Sequence, residues 1–141
     1  MPMKKTPIAL ALLALSLTAH AEVSSETFCF SSGGARPINF ELHTYYDPSS
    51  KFSSGFVKYQ NAKQPIPLVL ANSASETLDK TAPDQETTTW IEVFNGQVSG
   101  EYEMITQGTA VSSMAYTSRK KNQKTGFMPN TSAMTESGCK W

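Results

Sequence analysis

The dipeptide Asn95-Gly96 lies between two segments in which apolar and polar residues alternate, Thr88 to Phe94 and Gln97 to Thr106. Both residues tolerate positive φ, which the two central positions of a tight hairpin turn require. A chain with this signal is committed to antiparallel strands at its centre. The remainder offers no competing pattern: helical periodicity is almost absent from residue 22 onward, and short segments rich in Val, Ile, Thr, Tyr and Phe recur between Gly, Pro, Asn and Ser clusters. The predicted fold class is all-β, a small antiparallel β-barrel or strongly curved sheet of about eight strands.

Thr27 to Ser31 reads as a first strand. From Pro37 to Tyr46, Ile38, Phe40, Leu42 and Thr44 share one face and Asn39, Glu41, His43 and Tyr45 the other; the first set is assigned to the core. Asp47-Pro48-Ser49-Ser50 makes a turn, and Phe52 to Gln60 returns. Pro65 and Pro67 each remove a ladder donor, which places Gln64 to Ala71 at an edge or a bend. Asn72 to Thr87 reads as a long connection with room for a short helix over Ser75 to Lys80. A strict two-residue turn at Asn95-Gly96 opposes Val93 to Val98, Ile91 to Gly100 and Trp90 to Glu101. One face then holds Ile91, Val93, Val98, Tyr102 and Met104, and the other holds Trp90, Glu92, Ser99, Glu101 and Glu103. Thr109 to Ser118 and Lys124 to Met128 follow, separated by a basic tip at Arg119 to Lys124, and a last short strand carries Cys139.

Met1 to Ala21 has two lysines, an apolar run from Ile8 to Leu17 and the small-residue pattern Ala19-His20-Ala21. That is the anatomy of a secretory signal peptide, and the run is too short for a membrane span. Its removal leaves residues 22–141 as a single β domain with 10 bases, 12 acids and one histidine, His43. The resulting net charge of −2 argues against a nucleic-acid partner, which calls for a dense basic face. Cys29 and Cys139 stand near the two ends of the mature segment, in a chain sent to an oxidising space, so a disulfide is expected. In the chain-entropy model such a closure stabilises by about 4 to 5 kcal/mol. A catalytic thiol is the competing reading, but only His43 could serve it as a base. The expected compartment is a bacterial periplasm, with secretion beyond the cell as the open alternative.

Enzymatic templates fail on inventory. Ser118 to Lys121 and Ser137 to Lys140 match Ser-x-x-Lys, yet both fall in turn or strand contexts, where one helical turn cannot bring lysine beside serine. Glu101 and Glu103 stand i and i+2 on one strand, about 7 Å apart, and an exposed acidic strand explains them more simply than a glycosidase pair. No second histidine or spare cysteine is available for a metal, and no cofactor is expected. His43 is read as a solvated side chain. Charge distribution says more: seven acids and one base lie between Glu76 and Glu103, while Arg119 to Lys124 has four bases and no acid. An acidic segment of this density steers a basic protein partner.

Ser99-Gly100-Glu101-Tyr102 is a Ser-Gly-x-Tyr motif. With the paired cysteines, the leader, and the succession Lys58-Tyr59-Gln60, Ile66-Pro67-Leu68, Ser73-Ala74-Ser75 and Trp90, it resembles the small periplasmic lysozyme inhibitors of Gram-negative bacteria. The resemblance implies a non-enzymatic protein whose Ser99 and Tyr102 lie on a loop inserted into the lysozyme cleft. The hairpin register instead makes Ser99 to Tyr102 part of a strand with Tyr102 inward, unless Gly100 creates a bulge. The expected partner surface is Ser99, Gly100, Glu101, Tyr102, Trp90, Glu92 and Glu103, offered to a basic protein such as lysozyme. The alternatives are a small-ligand carrier with an apolar barrel cavity, suggested by seven Phe, five Tyr and two Trp, or an envelope-assembly factor using the proline-bearing segment Gln64 to Ala71.

Overall fold

The structure is a computed structural model that describes Pro2 and residues 21–141. The expected leader, Met1 to Ala21, lies almost wholly outside the described residues.

Eight antiparallel strands follow one another around a closed barrel: β1 (Ser24–Ser31), β2 (Asn39–Asp47), β3 (Phe52–Tyr59), β4 (Ile66–Glu76), β5 (Gln85–Phe94), β6 (Gln97–Gln107), β7 (Ala110–Ser118) and β8 (Gln123–Pro129). β8 closes onto β1 through Phe30 opposite Pro129 and Ser31 opposite Met128. A 3₁₀ turn at Thr131–Ala133 leads to a small hairpin of β9 (Met134–Thr135) and β10 (Gly138–Cys139). Cys139 there is bonded to Cys29, with their Cα atoms 5.8 Å apart. Glu41 holds this hairpin by accepting the Cys139 backbone N–H at 2.8 Å.

Turn chemistry accounts for the tight connections. Asn95 and Gly96 have φ of 51° and 73°, as a primed two-residue hairpin requires. At the β2–β3 turn the Asp47 carboxylate accepts the Ser49 backbone N–H and both the Ser49 and Ser50 hydroxyls. Those bonds, the Ser49 hydroxyl first, hold its pKa down at about 2.

Alternation fills the lumen. Phe30, Phe40, Leu42, Val57, Tyr102 and Met114 are fully buried. Phe40 is the hub, its ring centroid 4.8 to 5.5 Å from those of Phe30, Tyr59, Tyr102 and Phe127. Ile38, expected inside, is half exposed because it precedes β2 in the β1–β2 connection.

Three expectations are corrected. Gln64 to Ala71 is no edge: β4 pairs with β3 through Ile66 to Val69 and with β5 along its length, and the bend is a bulge at Ala71. Asn72 to Thr87 is mostly strand, the distal half of β4 and the start of β5 joined by 77–84, with no helix over Ser75 to Lys80. Finally, β5 and β6 slip at a bulge: Val93 faces Val98 but Glu92 faces Gly100, leaving Ser99 as the extra residue. Ile91 therefore opposes Glu101 and Trp90 opposes Tyr102. A slip of one residue exchanges the faces of a whole strand segment, so Trp90 and Glu92 are buried instead of sharing an outer face with Glu101 and Glu103.

Candidate functional site

The up-and-down order gathers the β1–β2, β3–β4, β5–β6 and β7–β8 connections at one end of the barrel and the other three at the opposite end. The first set carries Arg36, Lys63, Arg119, Lys120 and Lys121 and no acid. At the opposite end lie Glu26, Asp47, Glu76, Asp79, Asp84 and Glu86, against Lys51 and Lys80. Four acids of the acidic segment, Glu76, Asp79, Asp84 and Glu86, thus lie at the pole opposite the basic tip, while Glu92 and Glu101 belong to the basic half.

Inside the basic half sits Glu92, 5% exposed. Its carboxylate accepts the Ser99 hydroxyl at 2.6 Å, the Tyr102 hydroxyl at 2.8 Å and the Tyr116 hydroxyl at 3.1 Å. The Tyr59 and Tyr102 oxygens are 2.6 Å apart, and because Tyr102 donates to Glu92, Tyr59 donates to Tyr102. A buried carboxylate is tolerated only when hydrogen-bonded in this way. Burial pushes the Tyr102 hydroxyl far above its ordinary range, and Tyr59 and the adjacent Glu92 carboxylate add to it. Tyr116 and Tyr59 are raised as well, by burial first and the Glu92 charge after it. Gly100 is required here: a Cβ on it would lie 2.5 Å from the Tyr116 ring. Tyr59 and Tyr116 also line a cavity of about 350 Å³ at this end, rimmed by Lys121 and Ile38.

The predicted partner surface is therefore divided. Ser99, Gly100, Tyr102 and Glu92 come together, but within the barrel, with every hydroxyl proton directed to Glu92. Trp90 also points inward, further along β5. Glu101 is exposed and Glu103 half-exposed on the outer wall, where Lys124 approaches Glu103 at 4.0 Å. Tyr59 and Tyr116, the other members of the cluster, were not singled out as site residues from sequence; their one signal is that each falls on the inward phase of its strand. His43 is less solvated than expected, stacked on Phe56 at 4.5 Å with Nδ1 3.1 Å from the Thr27 hydroxyl.

At the acidic end a cavity of about 450 Å³ is lined by Glu26, Asp84 and Glu86, with Phe28, Met104 and Pro83 as apolar surface. A second, of about 200 Å³, shares Glu26 and Thr88 with it and is lined by Trp90, Thr44 and Ser73. Trp90 is 4% exposed, and its indole N–H has no hydrogen-bond partner among the described residues. Among the described residues no basic side chain pairs with Glu26, Asp84 or Glu86. No group of three or more His, Cys, Asp or Glu among them is placed to hold a metal ion. None of the described helices is long and apolar enough to cross a membrane. Comparison with protein-family models, curated proteins and solved structures finds no match to this chain.

Proposed function

We propose that this is an exported, non-enzymatic binding protein that blocks a basic cell-wall hydrolase such as lysozyme, and that it meets its partner with the acidic end of the barrel. The observation that carries this reading is the separation of charge along the barrel axis. Beyond Val69, β4 has no pairing with β3, so its distal half and the 77–84 connection form a hairpin paired only on the β5 side, with Asn72 to Thr81 exposed. Glu76 and Asp79 on that hairpin are free to meet a basic surface, whereas the side chains of Ser99 and Tyr102 are engaged by Glu92. A field of one sign at one end raises association rates by about tenfold or more at low salt. The disulfide is compatible with an oxidising compartment such as the periplasm.

The test is inhibition of C-, G- and I-type lysozymes by the purified protein. At least one should be inhibited, with an association rate that falls steeply as salt rises and drops about tenfold in the triple variant Glu76→Gln, Asp79→Asn, Asp84→Asn. Full activity of all three enzymes at micromolar excess defeats the proposal. Tyr102→Ala should lose inhibition only by unfolding the barrel, because Tyr102 is core.

A further inference from the structure

We infer that the free edge of β4 at the acidic end is a strand-accepting site, and that its occupant is an extended segment of a partner protein in which apolar and basic residues alternate. Ladder phase identifies the backbone groups on offer. The Arg119 N–H donates to the Ser99 carbonyl, so Ser99, Glu101 and Glu103 bond to β7, which leaves Tyr102 and Met104 to bond to β5. Carried through the next two registers, this phase has Asn72, Ala74 and Glu76 bonding to β5, while Ser73 and Ser75 turn their N–H and C=O groups to the opposite side. Among the described residues no strand occupies that side, since the pairing of β3 with β4 ends at Val69. Pro67 agrees with the phase: it opposes Phe56 of β3 at a position where the ladder asks for no donor.

An unpaired edge is a template for another chain, and proteins that keep one closed place lysine or proline along it. Asn72 to Glu76 has neither, and all five residues are exposed. Alternation then fixes what a paired segment meets. A residue opposite Ser73 points as the Ser73 side chain does, into a cavity of about 200 Å³ whose wall includes Tyr45, Tyr46, Ser53 and Leu70. That space is smaller than the roughly 300 Å³ at which whole-ligand sites begin, and it suits one apolar side chain. The neighbouring residues of the segment point outward, beside Asn72, Ala74 and Glu76. There Glu76, with Asp79 and Asp84 beyond it, favours a basic residue. A second copy of β4 fits less well, because Asn72 to Asp79 brings the same acids and no base. The site serves any partner that offers such a segment, so it extends beyond the blocking of a hydrolase.

The purified protein is titrated by calorimetry with the end-blocked peptide Lys-Val-Lys-Phe-Lys-Val-Lys. Binding should saturate below about 1 mM, and Glu-Val-Glu-Phe-Glu-Val-Glu should bind at least about tenfold more weakly. Two further peptides carry backbone N-methyl groups, one on its three apolar residues and the other on its lysines. Only one set of amides faces β4, the apolar set in antiparallel pairing and the lysine set in parallel pairing. One methylated peptide should therefore lose at least about tenfold in affinity and the other stay within about threefold. Ser75→Pro removes an outward donor and sets a ring in the path of the segment, yet spares the β5 ladder. It should keep the unfolding midpoint and lose at least about tenfold in affinity. Glu76→Lys should weaken binding about fivefold. No saturable binding overturns the inference, as does equal loss or equal retention in the two methylated peptides. Equal affinity for the acidic peptide overturns the basic occupant. Unchanged affinity in Ser75→Pro overturns the placement on β4, and a lowered midpoint overturns the ladder phase. A dimer in sedimentation that the peptide dissociates overturns the partner segment in favour of a second copy. No hydrolase enters these titrations, so their outcome and that of the inhibition assay are independent.

Discussion

The two halves of the lumen treat polar groups in opposite ways. In the basic half, a buried carboxylate is met by three hydroxyls contributed from β6 and β7, and a fourth, from β3, braces one of them. In the acidic half, among the described residues, a buried indole N–H has no acceptor and inward-facing carboxylates have no cation paired with them. The strands are continuous from one half to the other, so the contrast arises from side chains and not from backbone. A set of polar groups that satisfies itself holds the barrel together. A set left incomplete on the same scaffold is where a partner can contribute binding energy.

The largest expected effect tests the first half of that contrast. Glu92→Ala removes the acceptor shared by Ser99, Tyr102 and Tyr116 and should cost about 3 to 5 kcal/mol in urea unfolding. Glu26→Ala in the acidic half should stay within about 0.5 kcal/mol, and equal costs would erase the distinction. Alkali offers a second route. Tyr102, Tyr116 and Tyr59 are all raised above the ordinary value of 10.0. The unfolded chain therefore releases these protons first as pH climbs past 10, while the folded chain keeps them. Stability should be flat with respect to these groups below pH 10 and fall above it, by about 1.4 kcal/mol per pH unit for Tyr102 alone. Tyr102→Phe should remove that share of the slope in unfolding midpoints measured between pH 8 and 11.

Gly100→Ala comes next, at about 1 to 3 kcal/mol, because its methyl group would displace the Tyr116 ring from Glu92. In a Tyr116→Ala background the same change should cost far less, which a double-mutant cycle reads directly. The smallest effect belongs to the outer wall. Lys124 and Glu103 are both well exposed, so Lys124→Ala should shift thermal stability by less than about 0.5 kcal/mol.

The sequence made the all-β class, the approximate strand number, the Asn95-Gly96 hairpin and the cysteine pairing legible, since each depends on local chemistry or on simple counting. The phase between β5 and β6 was hidden for a physical reason. An inserted residue such as Ser99 leaves alternation intact within each strand and changes only how the two are set against each other. Glu92 then looked like an outer-face acid, because glutamate is seldom buried unless paired, and all three of its hydroxyl partners lie beyond the Asn95-Gly96 turn. The distal half of β4 was read as a connection because Asn72 to Glu76 is exposed on both faces and shows no alternation. The two cavities at the acidic mouth draw residues from all six strands β1 to β6, which no spacing rule unites.

Seven of the barrel's eight seams join strands adjacent in sequence, but the eighth joins Phe30 to Pro129 and Ser31 to Met128 across about a hundred residues and only two pairs. Hairpins form early because their loops are short, whereas this seam must gather the whole chain before it gains anything. Cys29 is the residue immediately before Phe30, and its bond to Cys139 fastens the chain beside that seam. The bond therefore works as a clasp: by tying the end of the chain to β1 it shortens the loop that these two pairs must close, and its loss would return the full cost of gathering about a hundred residues to them.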